Sequence, residues 1–202
     1  MTPEHAAALQ PFLTRRSTAA LFPPGPSADE IEAILAVATS VPDHGSLRPW
    51  RFVVVRADAR EVFGAALVDA AREADPGLDE GAAERIRAKA FVAPALIAVA
   101  ARVDLTAKVP AWEQVASASC AGYAIALAAH RLGLGAIWKS APVHHGAALE
   151  KVLDLTPDDR FLGWVNVGHT GPDRETTTRA VPDLGELVRT LDADGTPLRY
   201  EA

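Results

Sequence analysis

At 202 residues the chain is long enough to bury a core without metals or disulfides, and it is read as one domain, 1–202. A formal net charge of −6 with no lysine-rich tract argues against binding to nucleic acid or to anionic membrane surfaces. Cys120 is the single cysteine, which excludes an internal disulfide framework and a cysteine-based zinc site.

The apolar share is 49%, largely alanine, and the aromatic share only 6%. This predicts helices that bury more than one face, inside the fold or against a partner subunit. The start, Met1-Thr2-Pro3-Glu4-His5, lacks the basic opening and apolar run of a signal peptide, and no segment of membrane-spanning length is free of charge or proline. A cytoplasmic protein is the expectation.

Helical periodicity begins near Glu4, places Ala8, Leu9, Phe12 and Leu13 on one side, and closes at Thr14-Arg15-Arg16-Ser17. Two arginines at a helix end complement the macrodipole; followed directly by a hydroxyl they also suit a phosphate, with guanidinium forks for charge-assisted bonds. After the rigid Phe22-Pro23-Pro24-Gly25-Pro26 connector, Ser27-Ala28-Asp29-Glu30 has the spacing of a capping box. The helix it starts buries Ile31, Ile34, Leu35 and Ala38 and runs until Pro42.

Val41-Pro42-Asp43-His44-Gly45-Ser46-Leu47-Arg48-Pro49-Trp50-Arg51-Phe52 then joins that helix to a strand at Arg51–Arg56. Two prolines and a glycine forbid a regular element, while Asp43, His44, Ser46 and Arg48 crowd polar groups into a loop ending in an aromatic anchor. Loops of this kind serve sites, although for this loop taken alone a polar connector whose Trp50 merely packs is the simpler reading, and it is the other segments that shift the balance. Helices over Ala59–Glu73 and Glu80–Lys89 have solvated charged faces and no assigned chemistry. Pro94–Ala100 reads as a fully buried strand.

Pro110 starts a long helix reaching about Leu132 whose body, Ala116–Ala129, is nearly free of charge. A helix apolar all round is expected to be buried all round, here against the sheet and a second copy of itself, with Cys120 an inert buried thiol. The Gly133-Leu134-Gly135 that follows has half of a dinucleotide fingerprint, but it comes after a helix and before a strand, the reverse of the Rossmann order. Gly133 is expected as a helix C′ residue and Gly135 as a tight strand entry. Trp138-Lys139-Ser140 places an aromatic plane, a cation and a hydroxyl at that strand's end. His144 and His145 are adjacent, so they cannot share a helix face as a zinc pair does, and they read as surface residues. A helix to Leu153 and a strand at Phe161–Gly168 follow. From His169 the composition predicts an extended tail that wraps the domain or its partner.

Arg-Arg-Ser, Pro-Asp-His-x-Ser-x-x-Pro-Trp-x-Phe, Pro-x-Trp-Glu-Gln, Gly-x-Gly-x-x-Trp-Lys-Ser and Gly-Trp-x-x-x-Gly, in this order between about Leu13 and Pro182, resemble the nitroreductase family of flavin enzymes, and within it the small, minimal NAD(P)H nitroreductases. The resemblance implies an α+β fold with a central mixed β-sheet flanked by helices, in an interlocked homodimer holding two FMN molecules at the subunit interface. It implies that Arg15, Arg16 and Ser17 contact FMN, that Trp138, Lys139 and Ser140 line the same flavin, and that Ser40 and His44 reach it from the other subunit. Ser46 and Arg48 match positions that larger members fill with polar amides, and Arg174 or Arg179 would meet the phosphate.

The implied activity is NAD(P)H-dependent reduction of nitroaromatics, quinones or similar small electron-poor acceptors by alternating hydride transfers. It needs no catalytic triad, carboxylate pair or metal. A non-catalytic FMN carrier or redox sensor is the competing reading, because phosphate-gripping residues serve storage as well as turnover. A colourless helical interaction module is the third.

Overall fold

The computed structural model describes residues 2–141, 143–171, 180 and 182–201. Its helices are α1 (Pro3–Thr14), α2 (Ala28–Ala38), α3 (Arg60–Ala74), α4 (Glu80–Ala88), α5 (Ala111–Arg131), α6 (Ala147–Leu153) and α7 (Leu184–Leu187). The strands are β1 (Trp50–Val55), β2 (Ala95–Ala101), β3 (Gly135–Lys139), β4 (Arg160–Gly168), β5 (Arg189–Leu191) and β6 (Pro197–Arg199). These fall into two compact units, Met1–Thr14 with Glu175–Ala202, and Arg15–Arg174.

The larger unit is built on a four-stranded antiparallel sheet in the order β1-β2-β4-β3, with Phe52 opposite Val99, Ile97 opposite Val165, and Ile137 opposite Asn166. An isolated parallel bridge between Ser17 and Ala136 joins the other edge of β3 and gives the sheet its mixed character. Alternation along β2 explains its unbroken apolar run. Leu96 and Ala98 enter one core with Phe63, Leu67, Ala83, Ile86 and Leu149 from α3, α4 and α6. Ile97, Val99 and Ala101 enter a second core with Ile34 and Ala38 of α2 and Ala118, Ala121, Ile125 and Ala129 of α5. Both faces of the sheet are therefore covered, and a strand buried on both sides has no use for polar alternation.

The capping box predicted for α2 is present: Glu30 N–H donates to Ser27 Oγ at 3.2 Å, and Ser27 N–H to Glu30 Oε2 at 2.7 Å. The helix stops at Ala38, before Pro42 compels it to, because Thr39 and Ser40 hydroxyls donate to the carbonyls of Ala36 and Val37 at 2.8 and 2.7 Å. At the end of α5, Gly133 has φ +79° and Leu134 N–H returns to Ala129 O at 2.9 Å, the C′ geometry that residue was expected to supply.

The expected burial of α5 on every side included a second copy, which a single chain does not supply. The outward stripe of the helix is open, with Trp112 70% and Tyr123 43% exposed, and Ala116 and Cys120 exposed between them. These four positions fall within about 80° of the helical wheel, so the helix is buried on three sides, and Cys120 lies on the fourth. The composition was right about an apolar helix, but it could not tell which face the chain covers by itself.

At the turn into β4, Asp159 is 2% exposed and accepts N–H bonds from Val103 at 2.9 Å and Thr156 at 2.8 Å, with Arg102 Nε 3.5 Å away. In the smaller unit, α1 ends at Thr14, so Arg15 and Arg16 lie beyond the helix rather than in its last turn. The described part of the tail is not simply extended either. Asp183 caps the short α7, and β5 pairs β6 antiparallel about a turn in which Gly195 has φ +86° and Asp194 accepts the Thr196 N–H at 2.8 Å.

Candidate functional site

Arg15-Arg16-Ser17 and Trp138-Lys139-Ser140 both attach to β3, the first beside its start and the second at its end. Ser17 bridges Ala136, and Thr18 N–H donates to Ala136 O at 3.0 Å, so the arginine segment runs beside the strand that ends in Lys139. From Ala136 to Lys139 is three residues, about 10 Å of strand. Both segments also rest on neighbouring positions of α5. The Arg15 guanidinium lies over the Tyr123 ring, 5.8 Å from its centroid. The Trp138 ring lies against Gly122, where an added Cβ would stand only 2.5 Å from the indole. Trp138 Nε1–H donates to Leu162 O at 2.9 Å. Its ring and its donor are thus committed to the fold, which makes it the anchor of the trio; Lys139 is partly exposed and Ser140 exposed. Arg16 Nη1 donates to the Arg15 carbonyl at 2.8 Å.

The end of β3 is fixed from the other side by a bulge in β4. Pairing with β2 slips by one residue between Trp164 and Phe161, and Gly163 takes φ +98°. A Cβ there would lie 2.0 Å from the Lys139 carbonyl oxygen. Only glycine allows this approach, and it places the Lys139-Ser140 backbone.

Ser40, His44 and Ser46 belong to a second cluster. Asp43 accepts the N–H groups of Leu47 at 3.1 Å and Arg48 at 2.9 Å, and Ser117 Oγ–H on α5 donates to Pro42 O at 2.7 Å. Gly45, Ser46 and Arg48 all have positive φ, at 76°, 54° and 48°. His44 Nδ1 sits 2.8 Å from Glu113 Oε2 in the first turn of α5. The Ser40 hydroxyl is held by the Val37 carbonyl, and the Ser46 and Arg48 side chains are exposed.

Within one chain these clusters stay apart. They attach to α5 at Glu113 and Tyr123, ten positions (113 to 123), or about 15 Å, along the helix axis. Glu113, Ser117, Gly122 and Tyr123 were missed as site supports. Glu113 stood in a quoted motif, yet nothing in the spacing linked it to His44, 69 residues away. Arg174 and Arg179 lie outside the described residues. Among the described residues no group of three or more His, Cys, Asp or Glu side chains could hold a metal.

The sequence model of the Nitroreductase family matches residues 13–169. The chain belongs to the nitroreductase family. The match includes both clusters and ends before Arg174. An Escherichia coli protein named "Putative NAD(P)H nitroreductase YdjA" is 35% identical over 181 residues, which cover 90% of this chain and 97% of that protein. Among solved structures, a nitroreductase-like family protein from Bacillus cereus superposes with a TM-score of 0.75 at 22% identity, covering 96% of this chain and all of that one. A Bacteroides fragilis nitroreductase with bound FMN gives a TM-score of 0.65 at 21% identity, covering 87% of this chain and 94% of that one. The nitroreductase fold of this chain is therefore shared with proteins of quite different sequence.

Proposed function

We propose that this protein is a cytoplasmic, FMN-dependent NAD(P)H oxidoreductase that works as a homodimer on nitroaromatics, quinones or similar flat, electron-poor acceptors. The observation that carries the reading is that Arg15-Arg16-Ser17 and Trp138-Lys139-Ser140 attach to one strand, β3, and rest on adjacent positions of α5, Arg15 over Tyr123 and Trp138 against Gly122. Two guanidinium groups, an ammonium and two hydroxyls make a donor set with the charge and hydrogen-bonding capacity for the phosphate and polar ring edge of a flavin mononucleotide. The family relationship and the FMN bound to the Bacteroides fragilis structure support the same choice.

In this reading Arg15, Arg16 and Ser17 hold the phosphate, and Lys139 and Ser140 meet the ring with Trp138 as their anchor. Ser40, His44 and Ser46 complete the site from the other subunit. The open stripe of α5, Trp112, Ala116, Cys120 and Tyr123, is what the second copy covers, so the segments that are separated in one chain are joined across the dimer. FMN, when bound, supplies the hydride chemistry, receiving from the nicotinamide and giving to the acceptor in alternation. The protein's own part is orientation and a cation fixed beforehand, which offsets the negative charge that reduction leaves.

The test is the spectrum of the purified protein followed by anaerobic titration with NADPH. Rapid bleaching of a flavin band is the expected result. A bound flavin that NADPH cannot reduce would leave a carrier or sensor, and a colourless protein that takes up no FMN would overturn the reading entirely.

A further inference from the structure

We propose that His44 is the proton donor to the acceptor and that Glu113 is its positioning residue; this rests on the flavin reading above. The pair is asymmetric. The Glu113 side chain is 28% exposed at the start of α5, whereas His44 is 70% exposed, joined to the helix through Nδ1 at 2.8 Å. A carboxylate only accepts, so Nδ1 carries the proton in this contact and Nε2 is left as the nitrogen that gains and loses one. The backbone under the ring is fixed on both sides: Ser117 ties Pro42, Asp43 ties Leu47 and Arg48, and Gly45 lies close enough to Val109 that an added Cβ would meet it at 3.2 Å.

The chemistry consumes one proton that the hydride does not bring. A hydride brings two electrons and one proton, so a quinone still lacks one proton to become a hydroquinone. A nitro group lacks one to become a nitroso group and water. In the quinone case the acceptor takes the hydride that originated on the nicotinamide. The Nε2–H bond of the imidazolium then breaks as an O–H bond forms on the quinone oxygen, and neutral His44 is reprotonated from water. The cofactor is oxidised and the quinone reduced. Among the described residues, the other charged ones on the loop and on the segments packed against it are Asp43, Arg48, Arg51, Arg102, Lys108 and Glu113. Asp43 is committed to two backbone N–H groups, and an arginine does not release its proton in a protein. Among the described residues only Glu113 forms an ion pair with His44.

The experiment is stopped-flow measurement of both half-reactions on His44→Ala holoenzyme kept in excess FMN. Reoxidation by benzoquinone should slow about a hundredfold or more, the range for loss of a general acid, and by a much larger factor than reduction by NADPH. Added imidazole should restore much of that rate. Independently of turnover, ¹⁵N spectra of the oxidised wild-type holoenzyme should show the His44 proton on Nδ1, and Glu113→Gln should lose this tautomer bias. Wild-type reoxidation in His44→Ala, or a wild-type Nδ1 without its proton, would overturn the proposal. Failure of NADPH to reduce the wild-type flavin would instead overturn the reading beneath it.

Discussion

The β3 edge and the 41–49 loop are held in different ways. The edge is fixed by main chain: a parallel bridge at Ser17, the ladder to β4, and a glycine bulge that brings the Lys139 carbonyl against the next strand. The loop is fixed by side chains, with Asp43 and Ser117 bonding the backbone and with Gly45, Ser46 and Arg48 in left-handed conformations. Left-handed conformations at the non-glycine Ser46 and Arg48 cost about 1–3 kcal/mol each and persist only where the surroundings over-determine them. A segment held by the sheet cannot change without changing the fold. One held by a few polar contacts can exchange residues more freely. In the proposed function, grip on a phosphate belongs to the rigid half of the site and tuning of the chemistry to the adjustable half.

The strongest way to break this contrast is Gly163→Ala. With φ at +98° and a Cβ 2.0 Å from the Lys139 oxygen, alanine must push the end of β3 away. Unfolding free energy measured in urea should fall by about 2–4 kcal/mol, and FMN affinity should fall with it. Wild-type values for both would remove the bulge as a determinant of the edge.

A latch outside both regions gives a control. Burial alone would raise the Asp159 carboxyl, but the N–H bonds from Thr156 and Val103 together with Arg102 outweigh it, so its pKa lies below the ordinary value. A depressed carboxyl stabilises the fold above the unfolded-state pKa, and that contribution is lost as pH falls through the folded one. Asp159→Ala should cost about 2–3 kcal/mol at neutral pH and flatten the acid side of the stability curve, leaving FMN affinity alone. Unaltered acid sensitivity would show that Asp159 is not a main source of it.

Arg16→Ala sharpens the comparison from the ligand side. Loss of one charge-assisted phosphate contact should weaken FMN binding by roughly 1.5–3 kcal/mol, read by flavin fluorescence, with little change in unfolding. Unchanged affinity would remove Arg16 from the site.

What was legible in the sequence follows the same division. Elements with strong local signals were readable: the Ser27–Glu30 box, the Gly133 helix end, the continuous apolar β2 and the long α5 each follow from a short stretch of chain. The identities of Arg15, Arg16, Ser17, Trp138, Lys139 and Ser140 were visible as motifs, but their attachment to one strand depends on Ser17 pairing with Ala136, a contact far apart in sequence. The supports were least legible. Gly122 looks like one more small residue in an alanine-rich helix until the Trp138 ring is laid on it, and the partnership of His44 with Glu113 depends on where a loop lands on a helix. The exposure of Cys120 was unreadable for a related reason, since an apolar stripe covered by the same chain and one left for a second copy have the same composition.

The smallest effect expected is also the most discriminating. Asp43→Ala removes the acceptor for two N–H groups that lie near solvent, so water replaces much of what is lost and global stability should drop by only about 1 kcal/mol. The consequence should be local. Once its lock is gone, the strain at Ser46 and Arg48 favours opening, and the amides of Leu47 and Arg48 should exchange with deuterium at least about tenfold faster, while those of β3 keep their protection. If β3 amides were to loosen in step with the loop, the two regions would be one cooperative unit, and the separation of a rigid grip from an adjustable edge would not describe this protein. If the loop loosens alone, then in the proposed function substitutions at positions 44 and 46 can alter the chemistry without disturbing how the phosphate is held.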